Sequence, residues 1–346
     1  MINVNPDFKI TYHSLKQKES IEAFTKELKN EAGYISCQTS GSTGKPKEIQ
    51  ISKKALVVSA QNSIDFFELK NNQNAALCLS IDFIAGKMML VRSLIAGMHL
   101  HIYPVSTDLS NYMNQDIDFI ALVPLQLDQL LAHEKGAPYL KNINKILVGG
   151  AAISKTTEEL LVHNELTVFQ SYGMTETVTH VAIKKTGYQG EAIFRSLAGV
   201  RFETNENRLR IIYPGISNHP IQTNDLVHLE DQNSFQWLGR ADFVINSGGI
   251  KISPEQLEKK LYQIFNCELM VIGIDDAKLG QKVGLIIKGE TSEYPIEKSI
   301  FKDLIHPFEI PKSYTFINDF EKTLNGKLDR NKTAVKTKGL VWKNIL

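Results

Sequence analysis

The chain has 346 residues, 42% of them hydrophobic and 22% charged, which is enough for about two domains of ordinary globular composition. Its 39 Lys+Arg nearly cancel 38 Asp+Glu, leaving a formal +1, and this excludes a global basic footprint for nucleic acid or an acidic one for cationic partners. No apolar run approaches the roughly 18–20 residues that span a bilayer; the richest, residues 88–103, is broken by Arg92, Gly97, His99 and His101. The start, MINVNPDFKITYHS, lacks the charged flank and apolar core of a secretory signal. Cys37, Cys78 and Cys267 are far apart, with no CxxC spacing. They read as buried, reduced thiols in a cytoplasmic protein without membrane insertion.

Ile21, Phe24 and Leu28 recur at i, i+3, i+7 and predict a first amphipathic helix. Residues 34–38 read as a strand, and Ser52 caps the helix that follows. A strand is expected at 76–81, then a helix at 87–96 ended by Gly97. Short apolar strands follow at 100–103 and 119–123. Pro124 opens a helix carrying Leu127, Leu130 and Leu131. A strand at 145–148, a helix at 154–163 and a strand at 167–170 complete the run. This alternation predicts a largely parallel sheet covered by helices, whose ligands sit beyond the carboxyl ends of the strands. Turns at 39–45, 149–152 and 171–177 follow strands and are expected to line one crevice.

The pattern changes after about Thr186. Residues 208–213, 225–229 and 234–238 look like short antiparallel strands. A second α/β pattern begins near Ala241. Ser253 is its N-cap, Pro254 the first helical residue, and Gln256 stands three residues after the cap. Leu257, Leu261 and Ile264 form the apolar stripe. Strands at 269–274, 283–287 and 313–317 and a helix around Ile300 close the unit. The expected fold is α/β: a large domain, residues 1–240, with mainly parallel sheets flanked by helices and a small antiparallel part, then a small mobile α+β domain, residues 241–346.

The most informative stretch is Thr39-Ser40-Gly41-Ser42-Thr43-Gly44-Lys45-Pro46-Lys47. Glycines let backbone N–H groups approach an anion, and the hydroxyls and lysines add donors and charge, as a polyphosphate requires. The G-x-x-x-x-G-K-[ST] spacing of a Walker loop is absent. In Ser171-Tyr172-Gly173-Met174-Thr175-Glu176-Thr177, a ring beside a glycine suits a purine, Thr175 a phosphate, and Glu176 a Mg²⁺ ion. Thr223-Asn224-Asp225 offers a carboxylate to ribose hydroxyls, though the same triplet is also an ordinary turn. Gly239-Arg240-Ala241-Asp242 marks the domain boundary and precedes Asn246-Ser247-Gly248-Gly249-Ile250-Lys251. Near the end, Asn325-Gly326 makes a tight turn that holds Lys327 out from the fold.

In this order, TSGSTGKPK, YGMTE, GRADF…SGGIKISPEQLE and NGKLDR resemble the acyl-adenylate-forming superfamily, over about residues 34–330. The resemblance implies an ATP-dependent ligase with Mg²⁺ and coenzyme A. Residues Thr39 to Lys45 would embrace the β,γ-phosphates, and Gly150, Ala151 and Tyr172 the adenine. Thr175 would contact the α-phosphate, Glu176 would help hold Mg²⁺, and Asp225 and Arg240 would hold the ribose. Lys327 matches the family's catalytic lysine, which bridges the acyl carboxylate and the α-phosphate. For thioester formation the small domain would swing about Asp242 and bring Gly248 and Gly249 to the site, with Lys251 as the basic residue beside them.

The acid pocket is expected to include Phe83, Gly149 and His180. Ser80-Ile81-Asp82-Phe83-Ile84-Ala85-Gly86 departs from the family's P-x-x-H-x-x-G pattern, so no gating role is carried to Phe83. SYGMTETVTHVAIKK and TNDLVHLED…FQWLGRADFVINSGGIKI look most like the o-succinylbenzoate–CoA ligases of menaquinone biosynthesis, in a shortened form. The acid would then be an aromatic keto-dicarboxylate, with His180 or Lys184 near its far end. Two alternatives stay open: a ligase that loads a carrier protein, and an inactive nucleotide-binding regulatory protein. Relatives usually carry a substantial subdomain before the phosphate loop. Residues 1–33, or a second copy of the chain in a homo-oligomer, are expected to cover what that subdomain packs against.

Overall fold

The computed structural model describes residues 2–38, 48–290, 296–323 and 328–345. They form two compact units. One comprises the chain up to Glu203 with Ile211–Ile221 and Glu230–Phe235; the other comprises Thr204–Arg210, Gln222–Leu229 and the chain from Gln236.

The first unit opens with β1 (Lys9–Tyr12) and α1 (Lys18–Lys29), and α1 buries Ile21, Phe24 and Leu28 as their spacing predicts. Strands β2 (Tyr34–Gln38) and β3 (Glu48–Ser52) pair antiparallel and flank the TSGSTGKPK stretch in sequence. Ser52 caps α2 (Lys53–Phe67), its Oγ accepting the Ala55 N–H at 3.1 Å. Then come β4 (Asn74–Leu77), α3 (Ile84–Ala96), β5 (His99–Ile102), β6 (Phe119–Leu122), α4 (Pro124–Ala132), α5 (Gly136–Lys141) and β7 (Lys145–Val148). The unit continues through α6 (Lys155–His163), β8 (Thr167–Gly173), β9 (His180–Gly187) and β10 (Ile193–Ser196).

The strand order β1-β5-β4-β6-β7-β8 is parallel throughout; β9 and β10 continue it antiparallel. Alternate residues of the strands feed two cores, as the two-residue period demands. Ala75, Leu77, Phe119, Ala121 and Leu147 join the core under α1–α3. Ala76, Ile120, Leu122, Ile146 and Val148 join the core under α4–α6. Helices therefore cover both faces.

Several elements differ from the sequence reading. Strands β1 and β3 were not expected. The strand expected at 76–81 is β4, and α3 starts at Ile84 rather than 87. Gly86 lies in the first turn of α3 because a Cβ there would stand 2.2 Å from the Ser80 carbonyl oxygen. It is a close-approach glycine, not a helix breaker.

Strands β11 (Arg201–Asn205), β12 (Arg208–Ile212), β13 (Ile221–Asp231) and β14 (Ser234–Arg240), ordered β14-β13-β12-β11, each have residues in both units. Next come β15 (Ile245–Ser247), β16 (Ile250–Ile252), α7 (Pro254–Phe265), β17 (Leu269–Asp276), β18 (Gly280–Lys288), β19 (Ser313–Ile317), α8 (Arg330–Thr337) and β20 (Lys343–Asn344). Six of these strands form a mixed sheet ordered β16-β15-β18-β19-β20, with β17 also paired to β18. The segment around Ile300 is a single 3₁₀ turn, Lys298–Phe301. Ser253 caps α7 through Gln256 N at 3.4 Å. The Gln256 amide, however, donates to the Leu238 carbonyl at 2.9 Å, so it ties the helix start to β14. Cys37 and Cys78 are buried, whereas Cys267 is only half-buried, contrary to expectation.

Candidate adenylate site

Residues Thr39 to Lys47, and Lys327, lie outside the described residues. Flanking Lys327, Lys322 and Leu328 bridge antiparallel, and the Asp329 N–H reaches the Glu321 carbonyl at 2.8 Å.

In the first unit, two of the three expected turns come together. Strands β7 and β8 pair in parallel, Val148 opposite Gln170, so their carboxyl ends emerge side by side. A Cβ on Gly149 would lie 2.4 Å from Ser171 Oγ, and Gly150 has φ +90°. Tyr172 and Gly173 belong to β8 itself, not to a turn after it. The Tyr172 ring packs against Phe235 at 5.1 Å and Phe194 at 5.8 Å. Lys184 lies over the Phe194 ring at 5.2 Å. At Gly173 the β8–β9 register shifts, and a Cβ would meet the Thr179 carbonyl oxygen at 2.2 Å.

The segment Thr175–Thr177 is a 3₁₀ turn with Thr175 and Thr177 buried and Glu176 exposed. Thr177 Oγ1 accepts the Met174 N–H at 3.0 Å and donates to the Thr179 carbonyl at 2.7 Å. Val178 follows with φ +66° and ψ −57°. The Thr179 N–H closes onto the Thr177 carbonyl at 2.8 Å, which makes a γ-turn of positive φ. This is a strained conformation for a β-branched residue, and it lies inside the segment that carries Thr175 and Glu176.

His180, paired with Gly173, is 4% exposed. Its Nε2 lies 2.9 Å from Ser63 Oγ. Burial, and then the charge of Arg92, hold its pKa well below the usual value. Arg92 itself is a feature the sequence reading passed over as a mere interruption of an apolar run. Among the described residues it is the largest fully buried side chain, at 2% exposure. Nη1 faces Met89 Sδ at 3.4 Å, and among the described residues Nε has no hydrogen-bond partner. Desolvation pulls its pKa down to about 9. The signal was an arginine at the centre of MMLVRSLIA, where periodicity demands an apolar residue. Phe83, the residue before α3, is half-buried.

In the second unit, Asp225 is 7% exposed. Its Oδ1 accepts Trp237 Nε1–H at 3.1 Å and lies 3.9 Å from Arg240 Nη1. Arg240 Nη2 reaches Asp242 Oδ2 at 2.6 Å, and Asn224 Nδ2 donates to Asp242 Oδ1 at 3.1 Å. The candidate ribose and hinge residues therefore share one network. Gly248 and Gly249, with φ +60° and +84°, form the two-residue turn between β15 and β16, and nothing lies within 4 Å of a Cβ on Gly249. Backbone conformation alone explains glycine there. Lys251 is exposed.

Among the described residues no group of three His, Cys, Asp or Glu is arranged to hold a metal ion. One exposed carboxylate, Glu176, suits Mg²⁺ that takes most of its ligands from phosphate and water. No described helix is long and apolar enough to cross a membrane.

The profile of the family described as AMP-binding enzyme matches residues 5–205. The chain belongs to the AMP-binding enzyme family. This AMP-binding enzyme is 27% identical over 352 residues to a 2-succinylbenzoate–CoA ligase of Listeria innocua, covering 93% of this chain and 74% of the relative. The same named activity recurs in a Bacillus cereus (strain Q1) relative at 25% identity, covering 89% and 71%. Among solved structures, an acyl-CoA synthetase (AMP-forming)/AMP-acid ligase II-like protein from Dyadobacter fermentans is 32% identical, with TM-score 0.61, covering 91% of this chain and 92% of that one. The o-succinylbenzoate CoA synthetase of Bacillus subtilis, solved with ATP and magnesium, shares the fold at TM-score 0.70 and 22% identity, covering 86% and 69%.

Proposed function

We propose that this enzyme adenylates 2-succinylbenzoate with ATP and passes the acyl group to coenzyme A, releasing pyrophosphate and then AMP. The observation that carries the substrate is Arg92. Among the described residues no carboxylate pairs with this buried guanidinium, which is costly, and a second, ring-borne carboxylate on the acid supplies a counter-ion. His180 feels the charge of Arg92 and is paired with Gly173 of the YGMTE segment. With Phe83 and Gly149 it makes the acid-binding wall.

A carboxylate attacking a phosphate is anion meeting anion, so the site must place positive charge where negative charge develops. Thr39, Ser40, Gly41, Ser42, Thr43, Gly44 and Lys45 hold the β,γ-phosphates. Thr175 donates to the α-phosphate, and Glu176 contributes an oxygen to Mg²⁺. When bound, Mg²⁺ neutralises charge on the phosphate oxygens. Gly150, Ala151 and Tyr172 hold the adenine, Asp225 and Arg240 the ribose, and Lys327 the reacting carboxylate. In the second half-reaction the thiol attacks the acyl carbonyl and AMP leaves. We take residues 1–240 and 241–346 as the working domains, Asp242 as the hinge, and Gly248, Gly249 and Lys251 as the pantetheine side. The thiols of Cys78 and Cys267 and the choice of substrates support a cytoplasmic location.

Pyrophosphate release over a panel of carboxylic acids, with and without coenzyme A, tests the reading. Release with 2-succinylbenzoate and thioester only with coenzyme A is the expected result. Release with no acid in the panel would sink it, and acyl-adenylate that ignores coenzyme A would move the acceptor to a carrier-protein thiol.

A further inference from the structure

We infer that Trp237 is a positioning residue for the nucleotide ribose: its indole N–H fixes the Asp225 carboxylate in the plane that a vicinal diol requires. The inference rests on the reading of Asp225 as the ribose acceptor and goes one step beyond it.

A carboxylate that receives two hydroxyls must present both oxygens at a defined rotation about Cβ–Cγ. That terminal torsion is intrinsically broad, so something outside the aspartate has to set it. The backbone of Asp225 is already held. Its N–H donates to Thr223 Oγ1 at 3.1 Å, and that hydroxyl donates to the Leu209 carbonyl at 2.9 Å. The side chain is held by Trp237, whose Nε1–H lies 3.1 Å from Oδ1. Indole has one donor and no acceptor, so this contact has a single polarity, carboxylate accepting. It consumes one lone pair of Oδ1 and leaves the carboxylate able to accept further hydrogen bonds. Arg240 Nη1, at 3.9 Å, adds charge near the same oxygen but is drawn away by Asp242, at 2.6 Å. The indole N–H is thus a short, directional contact to the carboxylate. Trp237 is half-buried and stays with Asp225 inside one compact unit.

The test compares ATP with 2′,3′-dideoxy-ATP by isothermal titration, using the full chain, Trp237→Phe, Asp225→Asn and the double variant. A hydrogen bond to a charged group is worth enough that Trp237→Phe should weaken ATP by about tenfold. It should change dideoxy-ATP by less than about twofold, since that ligand has no diol to place. The double variant should be no weaker than Asp225→Asn alone, because the two residues act through one contact. In adenylation the loss should fall on KM for ATP rather than on kcat. As a check that needs no change at Trp237, Trp342→Phe leaves Trp237 as the sole tryptophan of the two in the chain. ATP should shift its emission and dideoxy-ATP should not.

Equal loss of both nucleotides in Trp237→Phe, unchanged ATP affinity, additive losses in the double variant, or an emission insensitive to ATP would each overturn the assignment. Failure of the ligase reading looks different. There the wild type discriminates ATP from dideoxy-ATP through Trp237 yet forms no acyl-adenylate with any acid.

Discussion

Replacing Arg92 with methionine should make the protein more stable and a worse enzyme. The guanidinium is 2% exposed, inside a core of Met89, Leu90 and Leu94. Burial alone lowers its pKa to about 9. A fall of that size corresponds to about 5 kcal/mol of cost for holding the charge. The folded pKa lies below the unfolded one, so this cost is present in full at every pH below about 9 and is relieved only as the pH rises beyond it. At neutral pH the ligand-free protein therefore bears all of it. Methionine has nearly the same length and no charge, so Arg92→Met should raise the unfolding free energy by about 1–4 kcal/mol in urea melts at pH 7.

The counterpart is substrate choice. 4-Oxo-4-phenylbutanoate is 2-succinylbenzoate without its ring carboxylate. Removing one partner of a desolvated ion pair costs about 2–5 kcal/mol. The wild type should therefore favour the dicarboxylate in kcat/KM by at least tenfold, and Arg92→Met should erase the preference. A variant destabilised by about 3 kcal/mol or more, with its acid preference intact, would refute the reasoning. It would mean that Arg92 is a paired structural residue.

Lys327→Ala should lower adenylation by about 10²–10³, as for loss of one donor to a developing oxyanion, while thioester formation from supplied acyl-AMP survives; equal loss in both half-reactions, followed by pyrophosphate exchange and thioester assay, would remove Lys327 from the first step. Val178→Gly should cost about 1–3 kcal/mol less in urea unfolding than Val181→Gly, because only Val178 stores γ-turn strain that glycine releases; equal costs would show that no strain is held there. His101 is pulled down to about 4, first by burial and then by His99 and His13, whose Nε2 lies 3.0 Å from its Nδ1. A base whose folded pKa is depressed contributes stability above its unfolded value near 6.5 and loses it as pH falls toward 4. Unfolding free energy should drop between pH 7 and 4.5, and by less in His101→Gln; identical drops would place the acid sensitivity elsewhere.

Helix starts were legible because capping is local. Ser52, Ser154 and Ser253 each accept an N–H three residues on, and no distant residue is needed to make that contact. Strands β4, β6 and β7 were legible as short apolar runs, which are also a local signal. Strand β1 was not. Its four residues are half-exposed, and they form a strand only because β5, some ninety residues later, offers a parallel edge. The length of β8 was likewise set by its antiparallel partner β9, which local pattern does not contain.

The site divides along the same line. Hydroxyls, glycines and lysines crowded into TSGSTGKPK suggest an anion by composition alone, since all of them are adjacent in sequence. Arg92, Trp237 and Val178 announce nothing by composition. A pattern reading treats the arginine as a flaw in a helix, the tryptophan as a strand filler, and the valine as an ordinary β-former. Their meaning comes from a missing counter-ion, a bond across twelve residues, and a left-handed φ where a valine is strained. Each breaks a local rule that the surrounding fold then over-determines. On the proposed reading, the phosphates call for a loop whose groups are adjacent in sequence, whereas choosing one acid would rest on a charge held in the core at a cost that the right substrate relieves.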